Sequence, residues 1–204
     1  DAIAQVVRCF DDDNVIHVEN KVDPLADVAT ITTELCLKDL DTVEKRAERS
    51  RKMIKANKPE DKLAIEVCEA LLAHLNQMKP VRTLLAAPPA VLESVEAKAI
   101  VRDMFLLTAK PTFYVANVDE GSLADLSKNA HFQAFAAYAA AEGARVVPIC
   151  ASLEEQIAEL EPADRPEFLA SAGLSEPGLT NVIRTGFELL GLITFFTAGE
   201  PEVH

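Results

Sequence analysis

Between Pro24 and Pro59 the chain contains neither glycine nor proline, and that absence constrains its fold more than any other feature. Asp23 and Pro24 supply a cap and a first-turn pair, since proline fits the first turn of a helix. Cys36, Leu40, Val43, Ala47, Ser50 and Ile54 then recur at alternating spacings of four and three, a heptad-like seam. The pattern predicts one long helix, and about thirty residues rise roughly 45 Å at 1.5 Å per residue. "NKPEDKLAIEVCEALLAHLNQMKP" adds a turn at Asn57 to Pro59 and a second helix with Leu63, Val67, Ala70, His74 and Met78 on one stripe. A tight connection makes two such helices antiparallel neighbours.

This hairpin interrupts a different pattern. "AIAQVVRCF" is an apolar run of strand length that ends in "DDDN". After the hairpin, Pro80, Pro88 and Pro89 punctuate a loop, and "VLESVEAKAIVRDMFLL" reads as a third helix leading to "PTFYVANVDEGS", a second strand running into a polar turn. "HFQAFAAYAAAEG" is a helix stopped by Gly143, and "ARVVPICAS" is another buried strand with a polar ending. The helices "LEEQIAEL" and "PGLTNVIRTGFELLG" follow, and "LITFFTAGEPEVH" begins as a strand. The order spells a parallel α/β sheet with an α-helical insertion in its first crossover.

With 204 residues, 49% hydrophobic, the chain can bury one core and an appended element. No run of 18 apolar residues is present to span a bilayer, and "DAIAQVVRCF" lacks the basic start of a signal peptide, so a soluble, cytoplasmic chain is expected. Cys9, Cys36, Cys68 and Cys150 form no C-x-x-C pair and lie in apolar segments, which predicts reduced core thiols and no metal. The histidines are scattered, and His74 lies on a helix face with Leu71 and Met78, where packing is expected.

A net charge of −13 argues against general nucleic-acid binding. Locally the balance reverses: Lys45, Arg46, Arg49, Arg51, Lys52, Lys55, Lys58 and Lys62 outnumber the acids between Glu44 and Lys62, near the tip of the hairpin. A solvated helix face supported by Glu44 and Glu48 explains such a run, and so does contact with RNA phosphates through Arg46, Arg49, Lys52 and Lys55.

Ligands of open parallel sheets sit outside the carboxyl ends of the strands, where Asn117, Asp119, Glu120, Ala151 and Ser152 fall. The Asn amide is both donor and acceptor and can bridge a purine edge to a neighbouring loop, while a carboxylate three residues on accepts from ring or exocyclic N–H groups. A polar turn with helix-capping Asp and Ser accounts for the same residues.

The stretches "DAIAQVVRCFDDDNVIHVENKVDPLADVATITTELCLKDLDTVEKR", "EPGLTNVIRTGFELLGLITFFTAG" and "FFTAGEPEV" resemble the YchF family, the Obg-like ATPases among the translation-factor-related P-loop GTPases. The resemblance runs through essentially the whole chain. It implies a partial Ras-like sheet of the P-loop NTPase kind carrying a coiled-coil insert, in a protein that hydrolyses ATP, also GTP, and associates with the ribosome. "NVDE" is similar to the family's N-x-x-E, which stands where ordinary GTPases carry N-K-x-D. The resemblance makes Asn117 the base-contacting amide, puts Val118 in place of the Lys that covers the base, and puts Glu120 in place of the guanine-reading Asp. "CAS" is similar to the S-A-K loop, with Ala151 and Ser152 lining the base pocket and no Lys at Ser152.

No G-x-x-x-x-G-K-[ST] loop or D-x-x-G switch occurs in the sequence. The family comparison therefore implies that residues 1–22 are G-domain strand and loop, 23–106 the helical insert, 107–194 the G-domain remainder and 195–204 the start of a TGS domain. The phosphate-binding loop, the Mg²⁺ ligands and the catalytic residues are expected outside this segment, which is expected to be inactive alone.

Overall fold

The computed structural model describes residues 1–11, 22–53 and 59–196, with the backbone alone at 59 and 60. The chain divides into two compact units, one formed by Asp1–Pro24 with Thr112–His204 and the other by Leu25–Pro111.

The first unit is built on three parallel strands, β1 (Ile3–Arg8), β2 (Thr112–Asn117) and β3 (Val146–Ile149), in the order β1-β2-β3. The register pairs Arg8 with Asn117 and Asn117 with Ile149, so all three strands end level with one another. Phe113, Tyr114, Val115 and Ala116 are all buried, as a central strand covered on both faces requires. Alternation along β2 sorts them. Tyr114 packs edge-on against Phe135 of α6 (Ala130–Ala141), with ring centroids 5.2 Å apart. Phe113 and Val115 lie on the other face with Val147, packed by Val182 and Leu189 of α9 (Gly178–Leu189). Gly143 ends the α6 segment at φ +69°, a left-handed position that suits glycine, as its place in the sequence predicts. Between these elements lie α5 (Glu120–Ala124), α7 (Ala151–Glu159) and α8 (Arg165–Ser171).

The second unit comprises α1 (Pro24–Met53), α2 (Pro59–Leu75), α3 (Val81–Ala86) and α4 (Val95–Asp103). The predicted seam is buried: Cys36, Leu40, Val43 and Ala47 share one core with Val67, Cys68, Leu71 and Leu75 of α2, and Ser50 is buried beside them. Ile54 and the turn at 57 and 58 lie outside the described residues. Asp39 is only 2% exposed and ties α1 to the chain leaving the unit. Its carboxylate accepts from Leu107 N–H at 2.8 Å, Thr108 N–H at 2.7 Å and Thr108 Oγ1–H at 2.6 Å, while Thr108 Oγ1 accepts from Val81 N–H at 3.0 Å. All four cysteines are buried and free, as expected. His74 is half-buried, with Nε2 3.1 Å from the Pro80 carbonyl and 2.9 Å from Thr83 Oγ1.

Three expectations change. The stretch after Pro80, read as loop, folds into α3, because a proline just before a helix withholds only an N–H that would lack an intrahelical partner. The third helix starts at Val95 instead of Val91: Ser94 caps it, accepting from Ala97 N–H at 3.0 Å, and Ala90–Leu92 forms a separate 3-10 turn. Residues 192–196 take no strand conformation, and Leu192, Ile193, Phe195 and Phe196 are exposed. β-forming side chains make a strand only with a neighbour to pair with, and residues 197–204 lie outside the described residues.

Candidate functional site

The carboxyl edge of the sheet brings the two candidate loops together. Asn117 ends β2, and its backbone is held between both neighbours: Cys9 N–H donates to the Asn117 carbonyl at 2.8 Å, and Val118 N–H donates to the Ile149 carbonyl at 2.8 Å. Its side-chain Oδ1 accepts from Ala151 N–H, the first residue of α7, at 3.0 Å. A backbone N–H can only donate, so the oxygen must face Ala151, and Nδ2 is left as a donor.

The remaining candidates separate by position. Glu120 is exposed at the first position of α5, and Ala151 and Ser152 are exposed in the first turn of α7, with Ser152 Oγ 3.2 Å from Cys150 Sγ. Val118 is 1% exposed and belongs to the interior, so it offers almost no surface to a ligand. Asp119 caps α5, its carboxylate accepting from Ser122 N–H at 2.8 Å and from Ser122 Oγ–H at 2.5 Å. The Ser122 hydroxyl holds the Asp119 carboxyl below the usual carboxylate range, with the backbone N–H groups of the turn adding to it. The capping reading of the loop therefore holds for Asp119 and Ser122, while Asn117 and Glu120 remain as groups that can meet a ligand.

Two residues that the sequence reading missed brace this edge. Asn129 caps α6, accepting from Phe132 N–H at 2.8 Å, and its Nδ2 donates to the Cys9 carbonyl at 2.8 Å and to Ser122 Oγ at 3.0 Å. An Asn directly before the apolar helical run was the available signal. Glu154 of α7 accepts from Gly178 N–H at 2.6 Å and Leu179 N–H at 3.2 Å, so it caps α9 from a distant part of the chain. Gly178 is required there because a Cβ would stand 2.9 Å from both Glu154 Oε1 and Ile149 Cγ2.

In the other unit, Arg46, Arg49 and Lys52 lie on α1, and Lys55 is outside the described residues. Arg46 donates to Ser50 Oγ at 3.0 Å, and Arg51 pairs with Glu69 of α2 at 3.4 Å. Lys45 pairs with Asp41 at 2.6 Å, a contact that lowers the Asp41 carboxyl. Arg49 and Lys52 are exposed and make no ion pair with another described residue. Among the described residues no group of three or more His, Cys, Asp and Glu is placed to hold a metal ion. No described helix is long and apolar enough to cross a membrane.

A parallel sheet flanked by helices, with the loops of adjacent strands meeting at its carboxyl edge, puts the chain among the open α/β folds, whose ligands bind at that edge. The solved Schizosaccharomyces pombe YchF GTPase has the same fold: TM-score 0.78 at 33% identity, covering 100% of this chain and 53% of that one. The chain belongs to the YchF family. It is 43% identical over 203 residues to the ribosome-binding ATPase YchF of Bacillus subtilis and 44% identical over 203 residues to that of Escherichia coli O157:H7, covering 100% of this chain in each case. The chain spans about half the length of these relatives, 54% and 53%. No family model matches it.

Proposed function

We propose that this chain carries the base-recognition loops of a nucleotide hydrolase that takes ATP, with GTP as an alternative, and that acts at the ribosome. The single observation that carries the reading is the bond from Ala151 N–H to Asn117 Oδ1. It turns Nδ2 into an oriented donor, suited to N7 of a purine, while the neighbouring Glu120 carboxylate is suited to an N–H of the base edge. The purine N7 is common to adenine and guanine, so Asn117 supports affinity for both. Glu120 is the group that discriminates. Ser152, without the ammonium of a lysine, and the buried Val118 leave the base less covered than N-K-x-D and S-A-K would. The relatives named above are a ribosome-binding ATPase and a GTPase, which favours hydrolysis of both nucleotides.

In this reading the groups that bind phosphate and Mg²⁺ belong to the portion of the relatives that this chain does not span, and the 204-residue segment alone does not turn over nucleotide. Arg46, Arg49, Lys52 and Lys55 are the residues assigned to contact with RNA or the ribosome, in the cytoplasm. What supports that assignment is the exposure of Arg49 and Lys52 without an acidic partner among the described residues, on a strongly acidic chain.

Titration of ATP into the whole protein and its Asn117→Ala variant tests the base reading. The variant is expected to bind roughly tenfold or more weakly, the scale of a lost hydrogen bond together with a disturbed loop. Equal affinity would remove Asn117 from the site.

A further inference from the structure

The side chain of Glu120, the residue on which discrimination between purines rests, makes no hydrogen bond or ion pair with another described residue, so its place is set by the turn it belongs to. That turn is pinned at two points. At one end, Asn117 is held by β1, β3 and Ala151. At the other, Ser122 is held by Asn129. The hydrogen bonds at this second point have one consistent direction. Both N–H groups of the Asn129 amide are used, one on the Cys9 carbonyl and one on Ser122 Oγ. The Ser122 hydroxyl accepts there, so its own proton goes to the Asp119 carboxylate. Asn129 Oδ1 is taken by Phe132 N–H.

Asn129 is 8% exposed and lies 120 residues from Cys9. A buried amide with every donor and acceptor matched has one orientation, because rotating it would leave several groups unpaired at once. It joins the end of β1, the β2–α5 turn and the start of α6 through one side chain.

We propose that Asn129, acting through Ser122 and Asp119, is a positioning residue that sets purine selectivity by fixing where Glu120 stands. The inference rests on the base-site reading above. Adenine offers the N–H groups of N6, guanine those of N1 and N2, so a carboxylate separates them only if it is held at one height along the base edge. A Glu120 released from its turn meets either base. Asn117, pinned separately, keeps its contact with N7. Loosening the Asn129 tether therefore lowers the ratio of affinities for the two nucleotides more than it lowers affinity itself.

The test measures ATP and GTP dissociation constants for the whole protein and four variants. Ser122→Ala deletes the hydroxyl that links Asn129 to Asp119 and retains the backbone N–H of the cap. Ser122→Thr restores the hydroxyl. Asn129→Asp keeps the acceptor that caps α6 and removes both donors. Asn117→Ala reports on the site itself. The expected result is an ATP-to-GTP preference reduced roughly fivefold in Ser122→Ala and Asn129→Asp, the scale of one hydrogen bond, and recovered in Ser122→Thr. Ser122→Ala keeps the test decisive if Asn129→Asp does not fold. A purely structural role would lower the melting temperature and leave the preference unchanged, and that outcome overturns the inference while Asn117→Ala still weakens binding. If Asn117→Ala binds normally, the base-site reading fails first and the inference falls with it.

Discussion

The two units keep their shape by different means. In the helical unit one continuous core runs from Cys36 to Leu106, and the Asp39 carboxylate, buried with three hydrogen bonds, closes the chain on itself. In the sheet unit the buried side chains divide into smaller groups, one around Phe113 and Val115 and another around Cys150 and Leu153, while Val6, Leu179, Ile183 and Phe187 are exposed. What holds its carboxyl edge is a set of directed polar bonds: Ala151 to Asn117, Asn129 to Cys9 and Ser122, and the α9 N-terminus to Glu154. The difference teaches which residues carry stability and which carry geometry. Apolar burial is non-directional and scales with area, whereas a hydrogen bond contributes less but fixes a direction.

Core truncation sets the upper end of the contrast. Leu71→Ala, at a fully buried position of α2, is expected to destabilise the protein by about 2–5 kcal/mol in urea unfolding, through lost transfer energy and the cavity left behind. A loss under about 1 kcal/mol would mean that the helical core repacks around the gap. Asp39→Ala strands the buried N–H groups of Leu107 and Thr108, and about 3 kcal/mol is expected from the same measurement. A smaller effect would show water reaching the clamp.

In the sheet unit, Gly178→Ala pushes a methyl to 2.9 Å from Ile149 Cγ2 and Glu154 Oε1. About 1–2 kcal/mol of destabilisation is expected from that overpacking, together with weaker ATP binding, because the disturbed β3–α7 connection presents Ala151 to Asn117. Unchanged binding would separate the α9 cap from the site. The smallest effect concerns acid. Asp119 has a lowered folded pKa, so its capping contribution is fully present above the ordinary carboxylate range and is lost as pH falls through the folded value. Protection of the Ser122 amide from hydrogen exchange is expected to fall on acidification below about pH 4, and to be low at every pH in Asp119→Ala. Protection that ignores both changes would detach Asp119 from the turn.

The sequence made the regular parts readable for physical reasons. The seam on α1 is a local periodicity that maps onto one buried face, and β2 is a run of apolar residues that only a central strand can bury. Local rules were insufficient where pairing partners lie far apart. Asn129 and Cys9 are 120 residues apart, Glu154 and Gly178 are 24 apart, and Asp39 and Thr108 are 69 apart, so none of these bonds leaves a short-range pattern. The helix α8 was not anticipated; Pro166 sits in its first turn, where its missing N–H costs nothing. At the candidate site the residue types of Asn117 and Ala151 were legible from the loops, but the bond that orients the amide required the register of three strands.

The central claim is that the bond from Ala151 to Asn117 aims an amide donor at a purine. A structure of the whole protein bound to a non-hydrolysable ATP analogue tests it most directly. The expected result has Asn117 Oδ1 still accepting from Ala151 N–H, its Nδ2 about 3 Å from N7 of the adenine, and the Glu120 carboxylate at the exocyclic edge. An adenine bound away from the β2 and β3 loops, with Asn117 and Glu120 both facing solvent, would contradict the account.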